Sequence, residues 1–188
     1  MKSILILYYS RGGHTARISR HLMRSIAAEQ CRCEMMDVKE AAKEGVDWDN
    51  WDAVVVGSCV LYGTYDKSVF EFCEQHKAQL DAKALSFFTV NVVARKPEKR
   101  VVENNKYLQK FIALSAWKPN DVKIIAGKVD YPSWGWLDSQ MIRLIMKMTN
   151  GPTDPTTVID YTDWDDVTAY GKHIVSLANA STAELTDA

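Results

Sequence analysis

The fold is decided by residues 4–15, which read ILILYYSRGGHT. The first half is a continuous apolar run, which is typical of a buried parallel strand. Gly12 and Gly13 follow it, and glycines let the backbone turn sharply and bring its N–H groups close to an anion. Helical spacing begins at His14, so the positive end of a helix dipole faces the same place. The stretch therefore predicts a strand, a phosphate-binding loop and a helix.

The loop has the chemistry to bind a single phosphate group. Ser10 and Thr15 can each donate a hydroxyl hydrogen bond to a phosphate oxygen, and the backbone N–H groups supply the rest. The Gly-Lys-Ser/Thr ending of a nucleoside-triphosphate loop and the GxGxxG spacing of a dinucleotide fingerprint do not occur here. The alternative is an ordinary glycine-containing turn whose serine and threonine cap the helix.

The rest of the chain alternates short apolar runs with helical patterns. Further strands are expected at residues 33–38, 52–57, 84–91 and 122–127, and helices at 14–30, 69–80, 103–116 and about 165–178. Such alternation predicts right-handed crossovers and a parallel sheet. Ligands bind beyond the carboxyl ends of such strands, so the loops that start at Ser10, Ser58 and Asn91 are the candidate site.

Composition limits the possible classes of protein. The 188 residues are 47% hydrophobic and 25% charged with a net charge of -1, which is typical of a globular domain and argues against nucleic acid as a partner. No apolar run approaches the roughly 20 residues that span a bilayer. The four cysteines are expected to be free thiols in a reducing compartment. We expect one domain over residues 1–178 and a disordered tail over 179–188.

One segment interrupts the alternation, and we call residues 131–151 the insert. It contains Trp134, Trp136 and a helical stretch at 137–148 whose apolar arc covers more than half of the helical wheel. A helix that packs only on its own sheet needs a narrower stripe. The segment from Trp134 to Met148 is therefore expected to lie on a membrane surface, or else against a partner subunit in a homo-oligomer. We also expect its deletion to spare cofactor binding.

Several segments carry a family resemblance. The loop at residues 10–15 resembles that of flavodoxins, and NVVARKPEKR at 91–100, MIRLIMKM at 141–148 and YTDW at 161–164 resemble the menaquinone-dependent protoporphyrinogen IX dehydrogenases. The resemblance covers nearly the whole chain. It implies a flavodoxin-like, doubly wound α/β fold with five parallel strands in the order 2-1-3-4-5, an inserted helical segment in the region of the fifth strand, and FMN as the cofactor.

The resemblance also implies that three loops hold the cofactor. The residues that it assigns to FMN are Ser10, Arg11, Gly12, Gly13, His14, Thr15, Ser58, Leu61, Tyr62, Gly63, Asn91, Val92, Val93, Ala94 and Arg95. Tyr62 is expected to stack on one face of the flavin. Val92 and Val93 stand where many flavodoxins have an aromatic residue, which leaves the other face open to a substrate.

The third loop is strongly basic, with Arg95, Lys96, Lys99 and Arg100 around a single Glu98. Cations at the mouth of the site can bind the propionates of a porphyrinogen or the head groups of an anionic membrane. A solvated charged turn is the alternative.

The function implied is the oxidation of protoporphyrinogen IX to protoporphyrin IX in heme biosynthesis, with electrons passed to menaquinone or ubiquinone. The enzyme is expected on the cytoplasmic side of the bacterial inner membrane as a peripheral protein. The cofactor carries this chemistry, so no catalytic acid or base is assigned, and the histidines show no metal-binding spacing. An electron-transfer flavodoxin, an NAD(P)H:quinone reductase on the same fold and a flavin-free interaction module are the alternatives.

Overall fold

The computed structural model describes residues 1–186, with side chains as far as residue 181. Within these residues five parallel strands form one sheet in the order β2-β1-β3-β4-β5. The strands are β1 (Ser3–Tyr9), β2 (Arg32–Asp37), β3 (Ala53–Cys59), β4 (Ala84–Asn91) and β5 (Val122–Ala126). The strand order and the parallel pairing confirm the predicted fold class.

Helices cover both faces of the sheet. They are α1 (His14–Ala28), α2 (Val38–Glu44), α3 (Lys67–Gln75), α4 (Lys77–Lys83), α5 (Lys106–Leu114), α6 (Trp136–Met148) and α7 (Trp164–Thr186). Side chains alternate between the faces of a strand, so β1 supplies both layers of the core. Ile4 and Ile6 pack with α1 and α7, whereas Leu5 and Leu7 pack on the face covered by α2 to α5.

Three elements differ from the sequence expectation by more than a few residues at their ends or in kind. Val38 was expected to end a strand, but it is buried in α2, because the Asp37 carboxylate accepts a hydrogen bond from the N–H of Lys39 and caps that helix. The single helix expected over residues 69–80 is divided in two at His76. Helix α7 continues through residues 179–186 of the expected disordered tail, and residues 187 and 188 lie outside the described residues.

The insert lies between two short strands that follow β5. Strands β6 (Lys128–Asp130) and β7 (Val158–Asp160) pair in an antiparallel ribbon, and α6 lies between them in the sequence. Val129, Tyr131 and Met146 form a small core of their own there. The insert is thus a helical excursion at the end of the fifth strand, on the edge of the sheet where the loops after β1, β3 and β4 also lie.

Candidate functional site

A cavity of about 430 Å³ opens at the carboxyl ends of the parallel strands. The predicted site residues that line it are Ser10, Arg11, Gly12, Gly13, His14, Thr15, Leu61, Asn91 and Val92. All three predicted loops therefore meet at one place, as the topology of the sheet requires.

The loop after β1 has the geometry of an anion cradle. Gly13 has a φ of 79° and a ψ of -14° and directly precedes α1, in a left-handed conformation that favours glycine. A Cβ atom on Gly13 would meet nothing within 4 Å. The Ser10 hydroxyl is buried, and it has no hydrogen-bond partner among the residues that the structure describes. A phosphate in the cavity would supply the acceptor that this hydroxyl lacks.

Asn91, at the end of β4, offers a second buried donor. Its Oδ1 accepts the backbone N–H of Ala94 at 3.0 Å, so the other end of the amide must be the NH2 group. Asn91 is one of the residues that line the cavity, and its buried Nδ2 has no partner within residues 1–186. Two unsatisfied polar groups on the wall of one cavity are the feature expected of a site that binds a polar cofactor such as FMN.

His14 is the first residue of α1, and its imidazole contacts Thr162, just after strand β7. Its Nε2 lies 2.8 Å from the Thr162 hydroxyl, which itself donates to the carbonyl oxygen of Ala126 at 2.8 Å. Nε2 must therefore carry the proton and donate to Thr162. Burial lowers the pKa of His14, although Asp160 nearby acts in the opposite direction. The imidazole is thus held neutral at the edge of the cradle.

Six of the predicted residues do not line the cavity, namely Ser58, Tyr62, Gly63, Val93, Ala94 and Arg95. Ser58 is buried within β3, and its hydroxyl donates to the carbonyl oxygen of Cys59 at 3.2 Å. Tyr62 has a φ of 50° and is 42% exposed, with the guanidinium of Arg11 5.6 Å from its ring centroid. Stacking of Tyr62 on the flavin stays a prediction.

Arg95 points away from the cavity toward the insert. Its Nη2 donates to the carbonyl oxygen of Thr149 at 2.8 Å and also reaches the Thr149 hydroxyl at 3.2 Å. Residues 92–95 and 97–99 form two short 3-10 turns, and Arg100 donates to the carbonyl oxygen of Ala94 at 2.8 Å. Two cations of the basic loop therefore have intramolecular partners that the sequence did not reveal.

Other residues of the cavity wall were missed by sequence reasoning. They are Arg17, Cys59, Val60, Val90, Gly127, Lys128, Asp130, Ser133, Trp134, Asp138 and Ile142. Lys128 and Asp130 form an ion pair at 2.5 Å, and the hydrogen bond from Lys128 lowers the pKa of Asp130. The carboxyl end of β5 lies on the same edge as the other loops, and that signal could have found Gly127 and Lys128.

The fold and the site define the protein as a flavodoxin-type, cofactor-binding α/β protein. A family described as the flavodoxin domain matches residues 5–156. Among solved structures, the flavodoxin, WrbA-like protein from Agrobacterium tumefaciens is similar with a TM-score of 0.55 and 12% sequence identity, covering 96% of this chain and 99% of that one. That likeness supports the fold.

Similarity in sequence identifies a narrower family than similarity in structure does. Protoporphyrinogen IX dehydrogenase (quinone) from Escherichia coli (strain K12) is 37% identical over 178 residues, which are 95% of this chain and 97% of the relative. The protein of the same name from Leishmania major is 34% identical over 92% of this chain and 74% of its own length. The chain therefore belongs to the protoporphyrinogen IX dehydrogenase (quinone) family of flavodoxin-domain proteins. The resemblance and the FMN cofactor predicted from the sequence are thereby confirmed.

Proposed function

We propose that the protein oxidises protoporphyrinogen IX to protoporphyrin IX and passes the electrons to a membrane quinone, either menaquinone or ubiquinone. The observation that carries the proposal is the 37% identity, over 95% of the chain, with a relative of that name. The cavity supports it, because its unsatisfied donors fit FMN. The chemistry that FMN supplies when bound is reversible two-electron oxidation and reduction.

The chain's own residues bind and orient the cofactor. The hydroxyl of Ser10 and the backbone around Gly13 would hold the phosphate, and the NH2 group of Asn91 would donate to the polar edge of the flavin. Leu61 and Val92 add apolar wall to the same cavity, which excludes water from the redox site. None of these residues needs to transfer a proton for the cofactor to work.

The third loop would recognise the substrate. Protoporphyrinogen IX carries propionate groups, and Lys96 and Lys99 lie immediately before and within the 3-10 turn at residues 97–99, a few residues beyond the cavity residue Val92. Charge-assisted hydrogen bonds from these cations to the propionates would orient the macrocycle at the open side of the site. Arg95 and Arg100 would support the loop through the backbone contacts already described.

Helix α6 would hold the enzyme at the membrane that contains the quinone, on its cytoplasmic face. Large apolar side chains on α6 are exposed: Trp136 by 73%, Leu137 by 74%, Met141 by 48%, Leu144 by 56% and Met148 by 78%. Such a patch suits the boundary of a bilayer, with Arg143 and Lys147 near the head groups. None of the helices within residues 1–186 combines the length and the apolar character needed to cross a bilayer.

The function is tested by an anaerobic assay with FMN-loaded protein, protoporphyrinogen IX and a menaquinone analogue. We expect protoporphyrin fluorescence to rise only when FMN and the quinone are both present. Protein that binds FMN but forms no porphyrin would contradict the proposal. Bleaching of the flavin by NADH in the same preparation would then point to an NAD(P)H:quinone reductase, and reduction by a flavodoxin reductase would point to an electron carrier.

The membrane role is tested by co-sedimentation with phosphatidylglycerol vesicles. We expect Leu137→Glu combined with Leu144→Glu to weaken vesicle binding by at least about tenfold, because each buried leucine contributes about 1.5–3 kcal/mol. Leu114→Glu is the matched control, since Leu114 is 63% exposed on α5, outside the insert. Equal binding by all three proteins would exclude the membrane role, and a dimer that dissociates in the double variant would indicate a partner subunit instead.

A further inference from the structure

Trp134 lies in the wall of the cofactor cavity, although it belongs to the insert. It lines the same cavity as Ser10 and the glycines of the phosphate loop. A Cβ atom built on Gly12 would lie 3.9 Å from Nε1 of Trp134, so the polar edge of the indole faces the loop. The side chain is partly buried, whereas that of Trp136, two residues further on, is 73% exposed.

The indole is held in this orientation by the small core of the insert. Its ring packs edge-on against Tyr131, with centroids 5.3 Å apart at an angle of 83°. The backbone N–H of Trp134 donates to the carbonyl oxygen of Tyr131 at 3.2 Å. Tyr131 is itself fixed, because its hydroxyl donates to the carbonyl oxygen of Pro152 at 2.8 Å. Trp134 is thus held in this orientation by contacts within the insert.

Two polar contacts join the insert to the loops that surround the cavity. Arg11 of the phosphate loop forms an ion pair with Asp138 on α6 at 3.3 Å. Arg95 of the third loop bonds Thr149, at the end of α6, at 2.8 Å. The insert is therefore joined both to the phosphate loop and to the third loop.

We propose that Trp134 is a cofactor-binding residue, whose indole N–H donates a hydrogen bond to the phosphate of FMN. The indole nitrogen is a donor only, which matches a phosphate oxygen and does not match another donor. Together with the Ser10 hydroxyl and the loop backbone, it would surround the phosphate from the side that the parallel sheet leaves open. The inference rests on FMN as the cofactor and is independent of the substrate.

The test compares FMN with riboflavin, which has the same ring and side chain but no phosphate. Trp134→Phe keeps an aromatic ring against Tyr131 and removes the N–H. We expect flavin-free Trp134→Phe to bind FMN about tenfold more weakly, as quenching of flavin fluorescence reports, and to bind riboflavin as the wild type does, since a hydrogen bond to a charged group is lost. Trp134→His, which retains a ring N–H, should recover part of the affinity for FMN.

Trp136→Phe is the matched control, because this side chain is exposed and does not line the cavity. It should bind both flavins like the wild type. Unchanged affinity for FMN in Trp134→Phe would overturn the proposal. An equal loss of affinity for FMN and riboflavin would also overturn it, because the indole would then act on the ring or on the packing of the insert. Thermal unfolding of the flavin-free variants reports any general loss of folding.

Discussion

The parallel sheet and the insert use a similar supply of apolar residues in opposite ways. In β1, Ile4, Leu5, Ile6 and Leu7 are at most 1% exposed, because helices cover both faces of the strand. In α6, Leu137 is 74% exposed, and Met146 is the fully buried residue of the helix within the described part of the chain. The sheet thus obtains its stability from burial, whereas the insert leaves apolar surface exposed.

The candidate cofactor cavity spans both regions. Its rigid side is formed by the ends of β1 and β4, and its other side by the insert, which is attached through Arg11–Asp138 and Arg95–Thr149. The Arg11–Asp138 ion pair is partly exposed, and a pair of this kind contributes about 0–1 kcal/mol. Variants that change only the sheet or only the insert can separate what each region contributes to stability and to cofactor binding.

The largest effect is expected from a glycine in the sheet. A Cβ on Gly57 would lie 1.9 Å from Cζ of Phe88, which is fully buried, so Gly57→Ala should cost about 1–3 kcal/mol or more of unfolding free energy through overpacking. Gly151→Ala in the insert meets the flexible ends of Met146 at 2.4 Å and of Arg95 at 2.9 Å and should cost less, about 1 kcal/mol. Urea unfolding of both variants measures the loss of unfolding free energy. Equal losses would contradict the contrast between the sheet and the insert.

The next effect concerns the phosphate loop. Gly13→Val places a branched side chain at a φ of 79°, which costs about 1–2 kcal/mol, and should weaken FMN binding by at least about tenfold. In Gly12→Ala the new methyl group meets Trp134 at an ordinary distance of 3.9 Å, and affinity should stay within about twofold of the wild type. Fluorescence titration of the flavin-free proteins measures both. If Gly12→Ala weakened FMN binding more than Gly13→Val, the phosphate would not be held at Gly13.

On the insert side we expect a smaller effect, which strengthens FMN binding instead of weakening it. Asp138→Asn removes a negative charge from the cavity wall and leaves Arg11 without its anionic partner. Since a unit charge at about 4 Å is worth about 1 kcal/mol in water, FMN should bind a few-fold more tightly at low salt. High salt should abolish the gain. Asp49→Asn makes the same change in net charge on the exposed turn before β3, and an equal gain there would refute a local effect.

The smallest effect is a pH dependence at His14. Its pKa is lowered in the folded protein by burial, so the unfolded chain takes up a proton first as the pH falls. Stability linked to this residue is therefore present above about pH 6.5 and is lost below it. His14→Gln should show a shallower loss of unfolding free energy on acidification than the wild type. A steeper loss in the variant would mean that the imidazole is charged in the folded protein.

The sheet and its first loop could be predicted because their signals are local. Residues 4–9 are uniformly apolar, and Gly12, Gly13 and the helix start follow directly in the sequence. The placement of Asn91 at the cavity also follows from topology, since it ends a parallel strand. Helix α2 was missed because it is short and its cap, Asp37, looks like the end of a strand.

The insert was harder to interpret because its contacts are distant in sequence. Trp134 and Trp136 were both assigned to an association surface, but α6 begins at Trp136, so Trp134 precedes the helix and helical periodicity does not apply to it. Arg95 was assigned to the cofactor, although its partner, Thr149, is far along the chain. The expectation that deletion of the insert spares FMN is replaced by the opposite one, because Trp134, Asp138 and Ile142 line the cavity.

The most direct test of a cofactor site built from both regions is a crystal structure of the protein with FMN bound. We predict the phosphate within hydrogen-bond distance of the Ser10 hydroxyl and of Nε1 of Trp134, with the loop at Gly13 unchanged in conformation. A phosphate held by the loop while Trp134 is turned out into solvent would contradict the role of the insert. A flavin bound elsewhere would contradict the site itself.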